Sequence, residues 1–65
     1  MSYDQYLFSQ LLAIYSPDFA ALPYDWQYND IPILYAEFEQ SAFNVDNIGL
    51  YECIINYLQY KYQKH

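Results

Sequence analysis

The sequence contains almost no positive charge. Lys61 and Lys64 are its only cations, and no lysine or arginine occurs among residues 1–60, which hold all eight Asp and Glu residues. The formal net charge is −6. A surface of this kind repels both the phosphates of nucleic acids and anionic membranes. We therefore expect neither direct nucleic-acid binding nor membrane docking.

Cysteine and histidine are equally scarce. Cys53 is the only cysteine and His65 the only histidine. One cysteine excludes a disulfide within the chain, and one thiol with one imidazole cannot complete a closed zinc site. Calcium would need alternating oxygen ligands around a central glycine, which the acidic segment 25–30 lacks. We expect no metal and no cofactor.

No set of residues is suited to catalysis. Cys53 lies among apolar residues with no cation near it in sequence, which is typical of a buried structural thiol. Glu37 and Glu39 are two residues apart, so on a helix their side chains point about 200° apart and cannot share a substrate. We therefore expect a protein that is not an enzyme.

Long apolar segments are also missing. No apolar run approaches the roughly 20 residues of a membrane span, and the sequence does not begin with a basic segment followed by an apolar one. A lone thiol is typical of a reducing compartment. We therefore expect a cytoplasmic protein.

Aromatic residues, in contrast, are abundant. They make up 23% of the 65 residues, and ten of them are tyrosines. This content excludes a disordered chain and indicates a dense aromatic core in a single domain. Tyrosine combines a large apolar ring with a hydroxyl that tolerates water, so surplus rings can lie on the surface and contact a partner.

Apolar spacing predicts an all-α fold, a small three-helix bundle with a long aromatic-rich loop between helices 1 and 2. Ser2 can cap the first helix and Pro17 would end it. Asp30 can cap the second, with Pro32 in its first turn. A strand over 31–38 is the alternative. The expected bounds are a helix at about 3–16, a loop at 17–30, and helices at about 31–43 and 48–62.

The same spacing predicts which residues form the core. The last helix carries two apolar faces although a small bundle needs only one, so its second face is a possible homodimer interface. The expected core is Leu7, Leu11, Ile14, Leu34, Phe38, Tyr51, Ile55 and Leu58, and the extra face is Leu50, Cys53, Tyr57 and Tyr60.

The segment 17–39 combines five acids and six aromatic residues with no cation. Carboxylates can steer the protein toward a basic surface, and exposed rings can anchor it there by stacking on arginine or filling pockets. We therefore expect a basic protein or nucleoprotein complex as the partner. The candidate partner-binding residues are Asp18, Tyr24, Asp25, Trp26, Tyr28, Asp30, Glu37 and Glu39.

The chain is short, lacks a catalytic set and carries acids along most of its length: Asp18, Asp25, Asp30, Glu37, Glu39, Asp46 and Glu52. In these properties it resembles small acidic phage proteins that disable host defence, such as anti-CRISPR proteins and other DNA mimics. The similarity is one of general properties, since these families share no motif that could be matched residue by residue. It implies a stoichiometric inhibitor that occupies a nucleic-acid-binding surface of a host effector.

Two other interpretations use the same features. A small helical adaptor or homodimer would use the extra face of the last helix. An antitoxin or immunity protein would bind a basic toxin by the same electrostatic attraction.

Overall fold

Four helices make up the regular structure of residues 2–63, which the computed structural model describes, and no strand occurs in that range. The predicted all-α class is confirmed, whereas the bundle of three helices with a long loop is wrong in detail. The helices are α1 Tyr3–Tyr15, α2 Pro17–Ala20, α3 Tyr24–Glu39 and α4 Leu50–Tyr62.

Both predicted ends of the first helix are confirmed. The Ser2 hydroxyl accepts a hydrogen bond of 3.2 Å from the Gln5 amide, which caps α1. Ser16 leaves the helical conformation, with φ −125° and ψ 94°, as expected for a residue before proline. Its side chain then accepts from the Phe19 amide at 3.3 Å and caps α2, so one serine ends one helix and begins the next.

The predicted loop at 17–30 is wrong, because most of it is helical. α2 occupies its first residues, and α3 begins after Pro23 rather than after Asp30. The first turns of α3 are tied back to the preceding segment by Gln27, whose amide group donates to the carbonyls of Ala20 at 3.3 Å and Leu22 at 3.1 Å. These bonds favour a helix in a segment where the local sequence predicts a loop.

Pro32 lies inside α3 and does not mark its start. A proline inside a helix removes one backbone hydrogen bond and costs about 3 kcal/mol. Pro32 and Tyr28, whose carbonyl loses its usual donor, both lie at exposed positions where water can take the donor's place. The buried side chains Ile31, Tyr35 and Phe38 stabilise the helix across the proline. The alternative of a strand over 31–38 is therefore also wrong.

The connection between α3 and α4 is longer than predicted. α3 ends at Glu39 rather than near residue 43, because side chains satisfy its last carbonyls. The Ser41 hydroxyl donates to the Phe38 carbonyl at 2.6 Å, and the Asn44 amide group donates to the Glu39 carbonyl at 3.2 Å. α4 begins at Leu50, after Gly49.

The core is a cluster of aromatic rings where α1, α3 and α4 meet. Phe8 and Phe38 are 1% and 0% exposed, and their ring centroids are 5.9 Å apart. Tyr35 meets Phe8 edge-on at 5.5 Å, and Tyr57 meets Phe38 edge-on at 5.3 Å. These are favourable aromatic geometries. The other buried apolar side chains are Leu11, Leu12, Phe19, Ile31, Cys53, Ile54 and Leu58.

The predicted core is right for Leu11, Phe38 and Leu58, which are buried, while Leu7, Leu34 and Ile55 pack against the cluster at its edge. It is wrong for two residues. Ile14 is 73% exposed and Tyr51 is 56% exposed. The buried stripe of α1 runs through Phe8, Leu11 and Leu12 instead, and is rotated away from the line of Leu7, Leu11 and Ile14.

The extra face predicted on the last helix is not a free surface. Cys53 is 1% exposed and Tyr57 is 8% exposed, so both belong to the core. The buried thiol predicted for Cys53 is confirmed, and its sulfur lies 3.6 Å from the carbonyl oxygens of Val45 and Ile48. Leu50 is half-buried, and only Tyr60 is exposed. Two of the four residues of the predicted face are therefore buried within the chain itself.

The molecule is flat, with extents of 35 × 31 × 16 Å. A thin shape cannot hide every ring, which is why Tyr3, Tyr24 and Tyr60 are each more than 70% exposed. Within residues 2–63, no helix combines the length and the apolar content that a membrane span needs.

Candidate functional site

All eight carboxylate residues are exposed to solvent. Within residues 2–63 the only cation is Lys61, and the only ion pair joins its Nζ to the Glu37 carboxylate at 3.4 Å. The other acids therefore face solvent with no cationic partner in the described part of the chain. The negative surface expected from the sequence is present in the folded molecule.

The ammonium group of Lys61 makes its contacts with neighbouring side chains of the same chain. Its Nζ donates to the Tyr57 hydroxyl at 3.3 Å and lies 5.5 Å and 5.7 Å from the ring centres of Tyr57 and Tyr62. Burial acts to lower the pKa of Lys61, but the hydrogen bond to Tyr57 and the charges of Tyr57, Tyr62 and Glu37 outweigh it and raise the pKa.

The candidate partner-binding residues are concentrated on one helix. All eight are exposed, and α3 carries every one of them except Asp18, which lies on α2. The sequence-based interpretation spread them over a loop and a helix, so the early start of α3 brings them onto one rigid element. The residues on α3 are Tyr24, Asp25, Trp26, Tyr28, Asp30, Glu37 and Glu39.

These residues do not form a single patch, because they lie on two sides of α3. At 100° per residue, Trp26, Asp30 and Glu37 fall within about 60° of one another. Ile33, which sequence reasoning missed, lies between them and is 64% exposed. We call Trp26, Asp30, Ile33 and Glu37 the outer stripe. Its spacing of four, three and four residues would have revealed it, had the helix been predicted to begin at Tyr24.

Tyr24 and Tyr28 lie on the opposite side of α3, about 180° from the outer stripe, and Asp25 and Glu39 lie nearer to this side. Here α3 packs against α1 and leaves a groove of about 80 Å³. Tyr6 of α1 and the two tyrosines of α3 all line it. The groove is lined by Tyr6, Ser9, Gln10, Ala13, Tyr24, Gln27, Tyr28 and Ile31. Sequence reasoning also missed Tyr6, because its place on the groove depends on how α1 packs against α3.

A second, more open basin lies on α4, and no charged residue of the described range lines it. The rings of Phe43 and Tyr60 form one wall, with centroids 5.2 Å apart. The remaining lining residues are Asn56, Gln59 and Gln63. These three side chains are neutral amides, which can both donate and accept hydrogen bonds.

Tyr35 lies where the acidic surface meets the core. Its burial raises the pKa of the hydroxyl, and the nearby carboxylates Asp4 and Glu39 raise it further because they oppose a second negative charge. No three His, Cys, Asp or Glu side chains within residues 2–63 lie together as metal ligands would. His65 and Lys64 lie outside the described residues.

Alkaline pH is expected to destabilise the protein. Tyr35 and Lys61 both have folded-state pKa values raised above their ordinary values of about 10.0 and 10.5. Each therefore contributes stability that is complete below its unfolded-state pKa and is lost as the pH rises through the raised value. Urea denaturation followed by circular dichroism should give a lower midpoint at about pH 11 than at about pH 8.

Two variants serve as controls for this pH effect. Tyr35→Phe and Lys61→Met each remove one titrating group, so each should show a smaller drop between the two pH values than the unmodified protein. Equal drops in all three proteins would show that neither group causes the loss.

No protein-family model matches this chain, and neither a curated protein nor a solved structure matches it.

Proposed function

We propose that the protein is a non-enzymatic inhibitor that binds a basic, nucleic-acid-binding surface of a host effector, such as a CRISPR-Cas complex, and blocks it as a DNA mimic. It is encoded by a phage or a mobile element and acts in the cytoplasm of the host cell. Inhibition is stoichiometric, because the protein holds the surface that a nucleic acid would otherwise occupy.

The exposure of all eight carboxylates is the observation that carries this proposal. Carboxylates in intramolecular ion pairs would present little net field, but here only Glu37 has a cationic partner in the described part of the chain. A field of one sign speeds encounter with an oppositely charged surface and disfavours acidic partners.

α3 is the element that imitates a nucleic-acid strand. Its acids Asp25, Asp30, Glu37 and Glu39 span 15 residues, and the 14 steps from the first to the last rise about 21 Å at 1.5 Å per residue. The mean interval between charges is thus about 7 Å, compared with about 3.4 Å along one strand of DNA. With roughly half the charge density of a strand, α3 needs contacts other than charge to compete with nucleic acid.

The outer stripe supplies such contacts. Trp26 and Ile33 are 60% and 64% exposed and have no role in the core. Asp30 and Glu37 lie beside them, so apolar anchors and charges occur on one line. Exposed tryptophan surrounded by polar residues is the usual composition of an interaction hot spot.

The experiment is a capture from bacterial lysate. Immobilised protein is incubated with nuclease-treated lysate at about 50 mM and about 300 mM salt, and retained proteins are eluted with duplex DNA or RNA. We expect a nucleic-acid-binding protein to be retained at low salt, lost at high salt and displaced by nucleic acid, because the three effects share one electrostatic cause.

The proposal is overturned if the retained protein resists both salt and nucleic acid, or if nothing is retained at low salt from hosts with active defence systems. A basic toxin retained under the same conditions would instead identify an antitoxin or immunity protein, and would change the class of partner but not the surface that binds it.

A further inference from the structure

The groove between α1 and α3 has aromatic walls and a polar floor. Tyr6, Tyr24 and Tyr28 are 54%, 79% and 51% exposed, so their rings are not buried in the core. Ser9 is only 8% exposed and lies at the bottom with the half-buried Gln27. We call this site the tyrosine groove.

The polar groups on the floor are left as hydrogen-bond acceptors. The Ser9 hydroxyl donates its proton to the Tyr6 carbonyl at 2.7 Å, so its oxygen can only accept further bonds. The amide nitrogen of Gln27 donates to the carbonyls of Ala20 and Leu22, which leaves its Oε1 as the free end of the side chain. The floor therefore suits a donor.

The charge around the groove points the same way. Asp25 is exposed and lies three residues from Tyr28, so the two are neighbours on the surface of α3. Within residues 2–63, no cation lines the groove. Lys61 lies beside Glu37, on the opposite side of α3, and cannot neutralise the site. Exposed aromatic faces and the acceptors of Ser9 and Gln27, in a molecule of net charge −6, together favour a cation.

Size and shape decide which cation fits. A volume of about 80 Å³ has room for about two or three waters, enough for the head group of one side chain. The guanidinium of arginine is flat, stacks on aromatic faces, is only weakly hydrated and carries five donors. The ammonium of lysine is a strongly hydrated point charge with less to gain from ring walls.

We propose that the tyrosine groove receives an arginine side chain of the basic partner. The identity of that partner rests on the proposed function, whereas the preference for a guanidinium follows from the groove alone. The arginine stacks between Tyr6 and the tyrosines of α3 and donates to Gln27 Oε1 and Ser9 Oγ.

Small amides test this preference without any partner protein. N-acetyl-arginine amide, N-acetyl-lysine amide and N-acetyl-leucine amide are titrated into ¹⁵N-labelled protein at about 150 mM salt, and backbone amide shifts are followed by NMR. We expect the arginine compound to shift Ala13, Gln27 and their neighbours with a millimolar Kd, and to bind at least about five times more tightly than the other two.

A matched pair of double variants tests the walls of the groove. Tyr24→Ala with Tyr28→Ala should weaken binding of the arginine compound at least about fivefold. Tyr51→Ala with Tyr60→Ala removes the same number of exposed rings from α4 and should leave binding unchanged. All four tyrosines are more than half exposed, so both proteins should fold, and the dispersion of the NMR spectrum verifies this.

Three results would overturn the assignment: equal binding of the three amides, shifts scattered over the acidic surface rather than centred on the groove, or full binding by the variant lacking Tyr24 and Tyr28. Such a failure leaves salt-sensitive capture of a basic partner intact. Conversely, a groove that binds the arginine compound in a protein that captures no basic partner would uphold the groove and reject the proposed function.

Discussion

Phe38→Ala is expected to leave little folded protein at 37 °C. Phe38 is fully buried, and its ring lies 5.3–5.9 Å from those of Phe8, Tyr35 and Tyr57. Truncating a buried phenylalanine costs about 3–5 kcal/mol, from lost burial and from the cavity that remains. A domain of this length has a total stability of only about 3–10 kcal/mol, and no disulfide limits its unfolded state. This one substitution is therefore expected to remove much or all of the free energy of unfolding.

Urea denaturation followed by far-ultraviolet circular dichroism measures this loss, with Ile33→Ala as the control. Ile33 is 64% exposed, so its truncation should change the free energy of unfolding by less than about 1 kcal/mol. If Phe38→Ala were as stable as the control, the aromatic cluster would not be what holds the three long helices together.

The start and end of α1 could be predicted because local rules decide them. The Ser2 hydroxyl caps the helix by accepting from the backbone amide of Gln5, three residues away, and Pro17 stops the helix by direct steric conflict. Neither depends on the rest of the fold. The start of α3 could not be predicted, since Pro32 and Asp30 together match a helix start better than Pro23 does.

Tertiary contacts overrode that local preference. Ile31 and Tyr35 are buried on the same side of α3 although Pro32 lies between them. The Gln27 amide group reaches back to the carbonyls of Ala20 and Leu22, seven and five residues earlier in the chain. The free energy of these contacts is realised in the packed chain, so no window of local sequence reveals it.

The composition of the candidate site could be predicted better than its arrangement. A chain without cations before residue 61 has to display its carboxylates unpaired, because buried charges are too costly. That argument needs no fold. The arrangement depends on helix phase and packing, which the loop interpretation could not supply. Helix phase places Trp26 and Tyr28 on opposite sides of α3, and packing places Tyr6 and Tyr24 on the same groove.

Two charge variants of identical net charge are expected to behave very differently toward the captured partner. Asp25→Asn, Asp30→Asn and Glu39→Gln remove three charges from α3 and spare the ion pair of Glu37. We expect the association rate to fall at least about tenfold at low salt and to lose most of its salt dependence, since steering by a localised field is worth about 10–1,000-fold in rate.

The matched control removes three acids from the other helices and from the connection before α4: Asp4→Asn, Asp46→Asn and Glu52→Gln. Both variants carry a formal charge of −3, because each removes three negative charges from the −6 of the chain. Surface plasmon resonance at several salt concentrations compares their association rates with the captured protein. If the location of the charges matters, the control keeps most of the rate and the α3 variant does not. Equal losses in the two variants would mean that net charge alone drives binding, and α3 would then have no special role in imitating a nucleic-acid strand.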